Sequence, residues 1–323
     1  MQKLACLALA ALFLFAGCSS GTGIESTADD GGGTIGYSAM SFKNPFFVVI
    51  KENLEDAARA AGYELIANDA DSDVSKQANH IDEFINKGVS AIVLNPTDKL
   101  AIGEAIKKAN EAGIPVFTCD LQCTAEGVEI AGHIGTDNYQ GGTLAGEAML
   151  EILGDQGGEV LVLDYKQANS CVLRVDGFMD VINKHNEGRG EQGKITIVAE
   201  VNGGGDEDIG YKATTDILIA NPNITGIFAI NDPSALGAWK AIDEAGKTEQ
   251  ITIVGFDGAK AGKQAILEGK IYADPIQYPV RMGREIMAKI LAYQNGEDFE
   301  AVELIPTTLY RKADAEMDPE LQQ

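Results

Sequence analysis

Residues 95–120 read NPTDKLAIGEAIKKANEAGIPVFTCD, and residues 231–257 read NDPSALGAWKAIDEAGKTEQITIVGFD. In both, an Asn closes an apolar run. A helical stretch follows, carrying Ala105-Ile106 or Ala241-Ile242 and stopping at Ala112-Gly113 or Ala245-Gly246. A second apolar run then ends on Asp120 or Asp257. The Asn-to-Asp spacings are 25 and 26 residues, so each segment is one unit of strand end, helix, strand and acid. Two copies of one unit predict two similarly folded lobes. Each places an Asp at the carboxyl end of a strand, the edge of an open α/β sheet where loops and helix N-termini form ligand crevices. A cleft between two such edges follows.

Outward from these units the alternation continues. Strands are predicted over Thr34–Met40, Tyr63–Ala67, Ala91–Asn95 and Val116–Asp120, with helices over Pro45–Ala61, Val74–Lys87 and Lys99–Ala112. A second series is predicted as helix Asn138–Leu153, strand Glu159–Asp164, helix Val172–Lys184, strand Lys194–Val201, helix Asp208–Ala220 and strand Gly226–Asn231. It continues through helix Ser234–Ala245, strand Ile251–Asp257, helix Lys260–Leu267, strand Ile271–Gln277 and helix Pro279–Tyr293. Short apolar strands between helices are the mark of parallel sheets covered on both faces. The expected class is therefore α/β, with two doubly wound parallel-sheet lobes.

The 323 residues are 45% hydrophobic and 23% charged, enough apolar material for two cores. Against 25 Lys+Arg stand 49 Asp+Glu, a net charge of −24. Nucleic acids and anionic lipid surfaces are bound through basic patches, so neither partner is expected. Three His and five Cys leave little for a zinc or copper centre, and no cofactor is expected. At the N-terminus Lys3 precedes the apolar run Leu4 to Ala16, whose 13 residues fall short of the roughly 20 of a membrane-spanning helix. Residues 1–17 read as an export signal. Leu14-Phe15-Ala16-Gly17-Cys18-Ser19 resembles a bacterial lipobox, making Cys18 a lipidated mature N-terminus anchored at a membrane; an ordinary cleavage with Cys18 incidental is the other reading. Residues 18–33, rich in Ser, Gly, Thr and Asp, read as a flexible tether. Whether Cys119, Cys123 or Cys171 pair is open in the sequence.

The cleft residues suggest a ligand rich in hydroxyls. Asn44 and Pro45 read as the N-cap and first residue of a helix. Phe46 and Phe47 just inside it offer flat apolar faces for the C–H side of a sugar ring, or simply belong to the core. Ionised Asp120 and Asp257 are pure acceptors for hydroxyls. The alternatives are turn capping, or a glycosidase acid pair, whose fixed separation two hinged lobes hold poorly. Arg174 either forks onto ligand oxygens or forms a surface ion pair with Asp176 or a neighbour. No Gly-x-Gly-x-x-Gly follows the first strand, and Gly203-Gly204-Gly205 lacks the Lys-Ser/Thr of a phosphate loop. Trp239 reads as core.

Taken in order, Asn44-Pro45-Phe46-Phe47, the Ile92–Asp98 run IVLNPTD, Ile114–Asp120, Thr136-Asp137-Asn138, Asn231-Asp232, Val254–Gly258 and Ile276-Gln277 resemble the type I periplasmic sugar-binding proteins, the ribose-binding branch most closely. The resemblance spans about Thr34 to Tyr310. It implies a receptor, not an enzyme, that closes around one monosaccharide or polyol and delivers it, as a monomer, to an ABC permease. It also implies ligand contacts at Asn44, Phe46, Phe47, Asp120, Arg174, Asn231, Asp257 and Gln277. Three positions depart from the ribose-binding pattern: Leu121 replaces an Arg, Met40 a Ser, and Gly205 an aromatic. A site that loses a hydrogen-bonding group changes its choice of ligand sharply, so another pentose, a hexose or a polyol is expected to fit. The implied lobes are residues 34–135 with 278–306 and residues 136–277 with 307–315, leaving 316–323 as a tail. Their hinge crossings fall at Gly135–Asn138, Gln277–Pro279 and Ile305–Thr308. A sugar sensor feeding a chemotaxis or histidine-kinase receptor would use the same cleft, and an enzyme acting through the two carboxylates is the more distant alternative. Truncating Asp257 to Ala is expected to abolish binding and leave the fold intact.

Overall fold

The structure is a computed structural model that describes residues 32–190 and 192–322. The export signal, Cys18 and nearly all of the tether lie outside the described residues. Among those described, no helix is long and apolar enough to cross a membrane.

The first half of the chain builds β1 (Thr34–Ala39), α1 (Pro45–Ala60), β2 (Glu64–Asp69), α2 (Val74–Lys87), β3 (Ala91–Leu94), α3 (Gly103–Glu111), β4 (Val116–Cys119) and β5 (Gly132–Thr136). The second builds α4 (Asn138–Leu153), β6 (Gly158–Asp164), α5 (Asn169–Asn186), β7 (Ile195–Asn202), α6 (Glu207–Ala220), β8 (Ile224–Ala229), α7 (Asp232–Glu244), β9 (Thr252–Val254), α8 (Lys260–Leu267) and β10 (Ala273–Pro275). The chain ends with α9 (Pro279–Asn295), β11 (Val302–Ile305), β12 (Leu309–Arg311) and α10 (Lys312–Met317). One sheet has the order β11-β5-β4-β3-β1-β2 and the other β12-β10-β9-β8-β6-β7. The order is the same in both. All pairings are parallel except β10 with β12. The two quoted units are β3-α3-β4 and β8-α7-β9, at matching places in the two sheets.

The chain passes between the sheets after β5, after β10 and between β11 and β12, at the three segments expected as crossings. Several elements differ from the periodicity. β5, β11, β12 and α10 were not anticipated. α3 starts four residues late because the Asp98 carboxylate accepts the Leu100 and Ala101 N–H groups at 2.8 Å and holds a turn there. The expected strand Ile271–Gln277 shrinks to Ala273–Pro275, and Ile251–Asp257 to Thr252–Val254. α10 crosses the boundary set at residue 315, and Asp318 and Glu320 in the expected tail clasp Lys263 at 3.0 and 2.8 Å.

Helix ends follow local chemistry. Asn44 caps α1 by accepting the Phe46 N–H, and Asp73 caps α2 by accepting those of Ser75 and Lys76. Both faces of each sheet are covered, with Ile81, Phe84, Ile92 and Ile106 on one side of the first and Leu161, Ile227, Ile242 and Ile266 on one side of the second. Trp239 is partly buried against the latter group. α4 and α5 pack closely enough that a Cβ on Gly142 would strike the Arg174 carbonyl and one on Gly177 the Tyr139 carbonyl. This approach seats Arg174 beside the start of α4. Gly142→Ala is expected to cost about 1–3 kcal/mol through overpacking, read as a lower denaturation midpoint. A midpoint equal to that of the unaltered protein would refute this account of the helix contact.

Candidate functional site

Asp120 and Asp257 leave their strands in the same way. Each has positive φ, 60° and 100°, rare for residues other than Gly. Each N–H donates to a backbone carbonyl of the neighbouring strand, Asp120 to Ile134 of β5 at 2.8 Å and Asp257 to Pro275 of β10 at 3.1 Å. The tight exit turns both carboxyls away from their sheets and into the space between them.

Asp120 is 4% exposed, and its Oδ1 has no hydrogen-bond partner. Burial, joined by the charge of Asp257 and opposed by Arg174, pushes its carboxyl up to about 7. A buried acceptor without a donor is costly unless something brings one. Its side chain caps no turn among the described residues, so the turn-capping alternative for Asp120 fails.

Arg174 is 3% exposed. Its Nη1 donates to Asp257 Oδ1 at 2.9 Å and to the Ile230 carbonyl at 2.6 Å, and its guanidinium lies 3.8 Å over the Phe256 ring. The surface pair with Asp176 is therefore corrected: the partner is Asp257, 83 residues away. Burial pushes the Asp257 carboxyl above its ordinary range, while Arg174 and Gln277 hold it back. Gln277 Nε2 meets the same Asp257 oxygen at 2.5 Å. Nη2 of Arg174 meets no acceptor among the described residues and is free for a ligand.

Asn231 caps α7 through the Ser234 N–H at 3.0 Å, while its Nδ2 donates to the Gly205 carbonyl at 3.2 Å. Gly204 and Gly205 have φ of 70° and 63°, so a side chain at 205 would be strained in this loop. Phe46 and Phe47 are buried and meet edge to face at 5.5 Å. Phe46 borders, with Asp257 and Gln277, a cavity of about 570 Å³. Leu121 is buried in the core and Met40 packs half-buried against it. Cys119, Cys123 and Cys171 are free thiols. Across the cleft lip, Asn169 Nδ2 reaches Gln122 Oε1 at 3.1 Å and the Lys99 N–H reaches the Gln167 carbonyl at 2.9 Å, so the two sheet edges face each other closely. A second cavity, about 540 Å³ beneath Trp239, lies at the far edge of the second sheet, away from both acids.

One site residue escaped the sequence. Asn95, fully buried, holds the Tyr37 hydroxyl and the Cys119 carbonyl at 2.5 Å each. The signal was present, because Asn95 heads the first repeat as Asn231 heads the second.

A family model described as "Periplasmic binding protein domain" matches residues 35–298. The ribose import binding protein RbsB of Escherichia coli (strain K12) is 33% identical over 251 residues, 77% of this chain and 81% of that one. An ABC transporter solute binding protein from Agrobacterium vitis with bound D-fucose superposes with a TM-score of 0.80 at 28% identity, over 90% of this chain and 99% of that one. Another from Bacillus halodurans C-125 with bound myo-inositol gives 0.80 at 26% identity, over 90% and 98%.

Proposed function

The chain belongs to the periplasmic binding protein family, and from that premise we propose that it captures one monosaccharide or polyol between its two sheets and hands it to an ABC permease. The observation that carries the reading is Asp120 Oδ1, buried in the cleft and lacking any donor, opposite an Arg174–Asp257 pair with a free guanidinium arm. Adjacent hydroxyls of a sugar supply the missing donors. Asn44, Phe46, Phe47, Asn231 and Gln277 complete the contacts. Relatives that bind ribose, fucose and inositol are solute receptors, so the reading is of capture and release without turnover.

The lobes in this proposal are residues 34–135 with 278–306 and residues 136–277 with the remainder, which α10 extends past 315. Motion about the three crossings opens the cleft, and a ligand touching both lobes favours the shut state. Signal cleavage and lipidation of Cys18 would tether a monomeric receptor outside the cytoplasm, with the acidic surface keeping it soluble. Leu121 in place of an Arg removes a hydrogen-bond donor beside Asp120, which places ribose behind another pentose, a hexose or a polyol.

Thermal unfolding with D-ribose, D-allose, D-fucose and myo-inositol tests the reading. A ligand at 100 times its Kd adds about 2.7 kcal/mol, a rise of roughly 4–5 °C in a chain of this size. No shift with any neutral sugar or polyol at millimolar concentration would overturn it.

A further inference from the structure

Five buried side chains close a ring on the floor of the cleft. Thr136 Oγ1 donates to Gln277 Oε1 at 2.6 Å, and Gln277 Nε2 donates to Asp257 Oδ1 at 2.5 Å. Arg174 Nη1 donates to the same oxygen at 2.9 Å and its Nε to Asn138 Oδ1 at 2.8 Å. Asn138 Nδ2 returns to the Thr136 carbonyl at 2.9 Å. Every member is at most 7% exposed.

The direction of each bond is forced. A guanidinium only donates, so Asn138 turns its oxygen to Arg174 and its nitrogen to the backbone. An ionised carboxylate only accepts, so Gln277 turns its nitrogen to Asp257 and leaves its oxygen for a donor. Thr136 is that donor. Its place in the fold matters because it ends β5 in the first sheet, whereas Asn138, Arg174 and Asp257 belong to the second half and Gln277 begins the second crossing. Thr136 and Gln277 are 141 residues apart. The ring therefore ties two crossings to the groups that face the ligand.

We propose that Thr136 and Asn138 are positioning residues for ligand capture: from the crossing segment they fix the orientation of the Gln277 amide and the Arg174 guanidinium, so that lobe angle and binding geometry are set together. This rests on the cleft being a sugar site. Removing the Thr136 hydroxyl leaves the Gln277 carbonyl buried and unpaired, frees the amide to rotate and takes a donor from Asp257.

Two measurements on Thr136→Val and Thr136→Ser test it. In calorimetric titration with whichever of D-ribose, D-allose, D-fucose and myo-inositol the unaltered protein binds most tightly, Thr136→Val is expected to weaken binding about tenfold. Thr136→Ser, which keeps the hydroxyl, is expected to stay within about twofold. Without ligand, the Gln277 side-chain amide protons, assigned by NMR, are expected to exchange slowly in the unaltered protein and in Thr136→Ser but fast in Thr136→Val. If Thr136→Val keeps both the affinity and the slow amide, or if serine fails to restore them, the positioning role is wrong. If the unaltered protein binds none of the four while the amide behaves as stated, the ring stands and the sugar reading falls.

Discussion

Asp257→Ala is expected to abolish ligand binding and to destabilise the protein by about 3–5 kcal/mol, the cost of leaving one partner of a buried ion pair alone. The sequence reading held the fold harmless in this variant. The structure reverses that part, because Asp257 is the charge partner of a guanidinium that is 3% exposed. After truncation Arg174 keeps Asn138, the Ile230 carbonyl and the Phe256 face, but no carboxylate in contact. Calorimetric titration and denaturant unfolding at pH 7 separate the two effects. Asp257→Ala/Arg174→Met removes both charges, so it is expected to recover much of the lost stability and none of the binding. At φ of 100°, Gly in place of Ala should recover about another 1 kcal/mol. An Asp257→Ala variant that binds sugar like the unaltered protein would remove Asp257 from the site.

What could be read from the sequence was what periodicity and repetition encode. The unit repeated in residues 95–120 and 231–257 placed both acids at equivalent sheet edges, and the structure adds that they leave by the same kind of turn. β5 was missed because Gly132-His133-Ile134-Gly135-Thr136 carries one large apolar residue; it is a strand because β4 and β11 flank it and bury it from both sides. β12 has three residues, too few for any pattern. Partnerships across sequence were harder. Arg174 and Asp176 are two apart on a helix, and such positions do not face each other, which already argued against their pairing. That Asp257 was the partner instead depends on α4 and α5 closing over glycines, a tertiary fact. Asp274 drew no attention because its companion, Asp232, belongs to another element.

These last two acids give the second large effect. Asp232 and Asp274 are buried at 2% and 0% exposure, with no cation against either among the described residues. Asp232 Oδ2 takes the Ala259 N–H at 2.7 Å, while its Oδ1 meets no donor among the described residues and Asp274 has only the Gly255 backbone beside it apart from Asp232. A proton held between the carboxyls pairs one oxygen of each, making each a hydrogen-bond partner of the other. Burial first, then the nearby Asp257 charge, pushes Asp274 up to about 7, and burial with the charge of Asp274 raises Asp232 further. The unfolded carboxyls lose their protons near 3.9. Between about pH 4 and 7 the folded state therefore holds more protons than the unfolded one, and stability falls as pH rises, by about 1.4 kcal/mol per unit for each proton. Both contributions are fully present below pH 4; that of Asp274 is lost as pH climbs through 7, and that of Asp232 at higher pH. Buried His133, held down to about 4, has the opposite sign between pH 4 and 6.5, so the unaltered protein alone does not isolate the pair. Asp274→Asn does, because it removes one of the two titrating carboxyls and leaves an amide that can donate to Asp232, while the histidines are unchanged. At pH 8 the variant is expected to exceed the unaltered protein by about 2–3 kcal/mol, roughly 3–5 °C in melting temperature. At pH 5 the two are expected to melt together. Equal shifts at both pH values would mean that the amide merely packs better, and no shift at either would mean that no proton is shared.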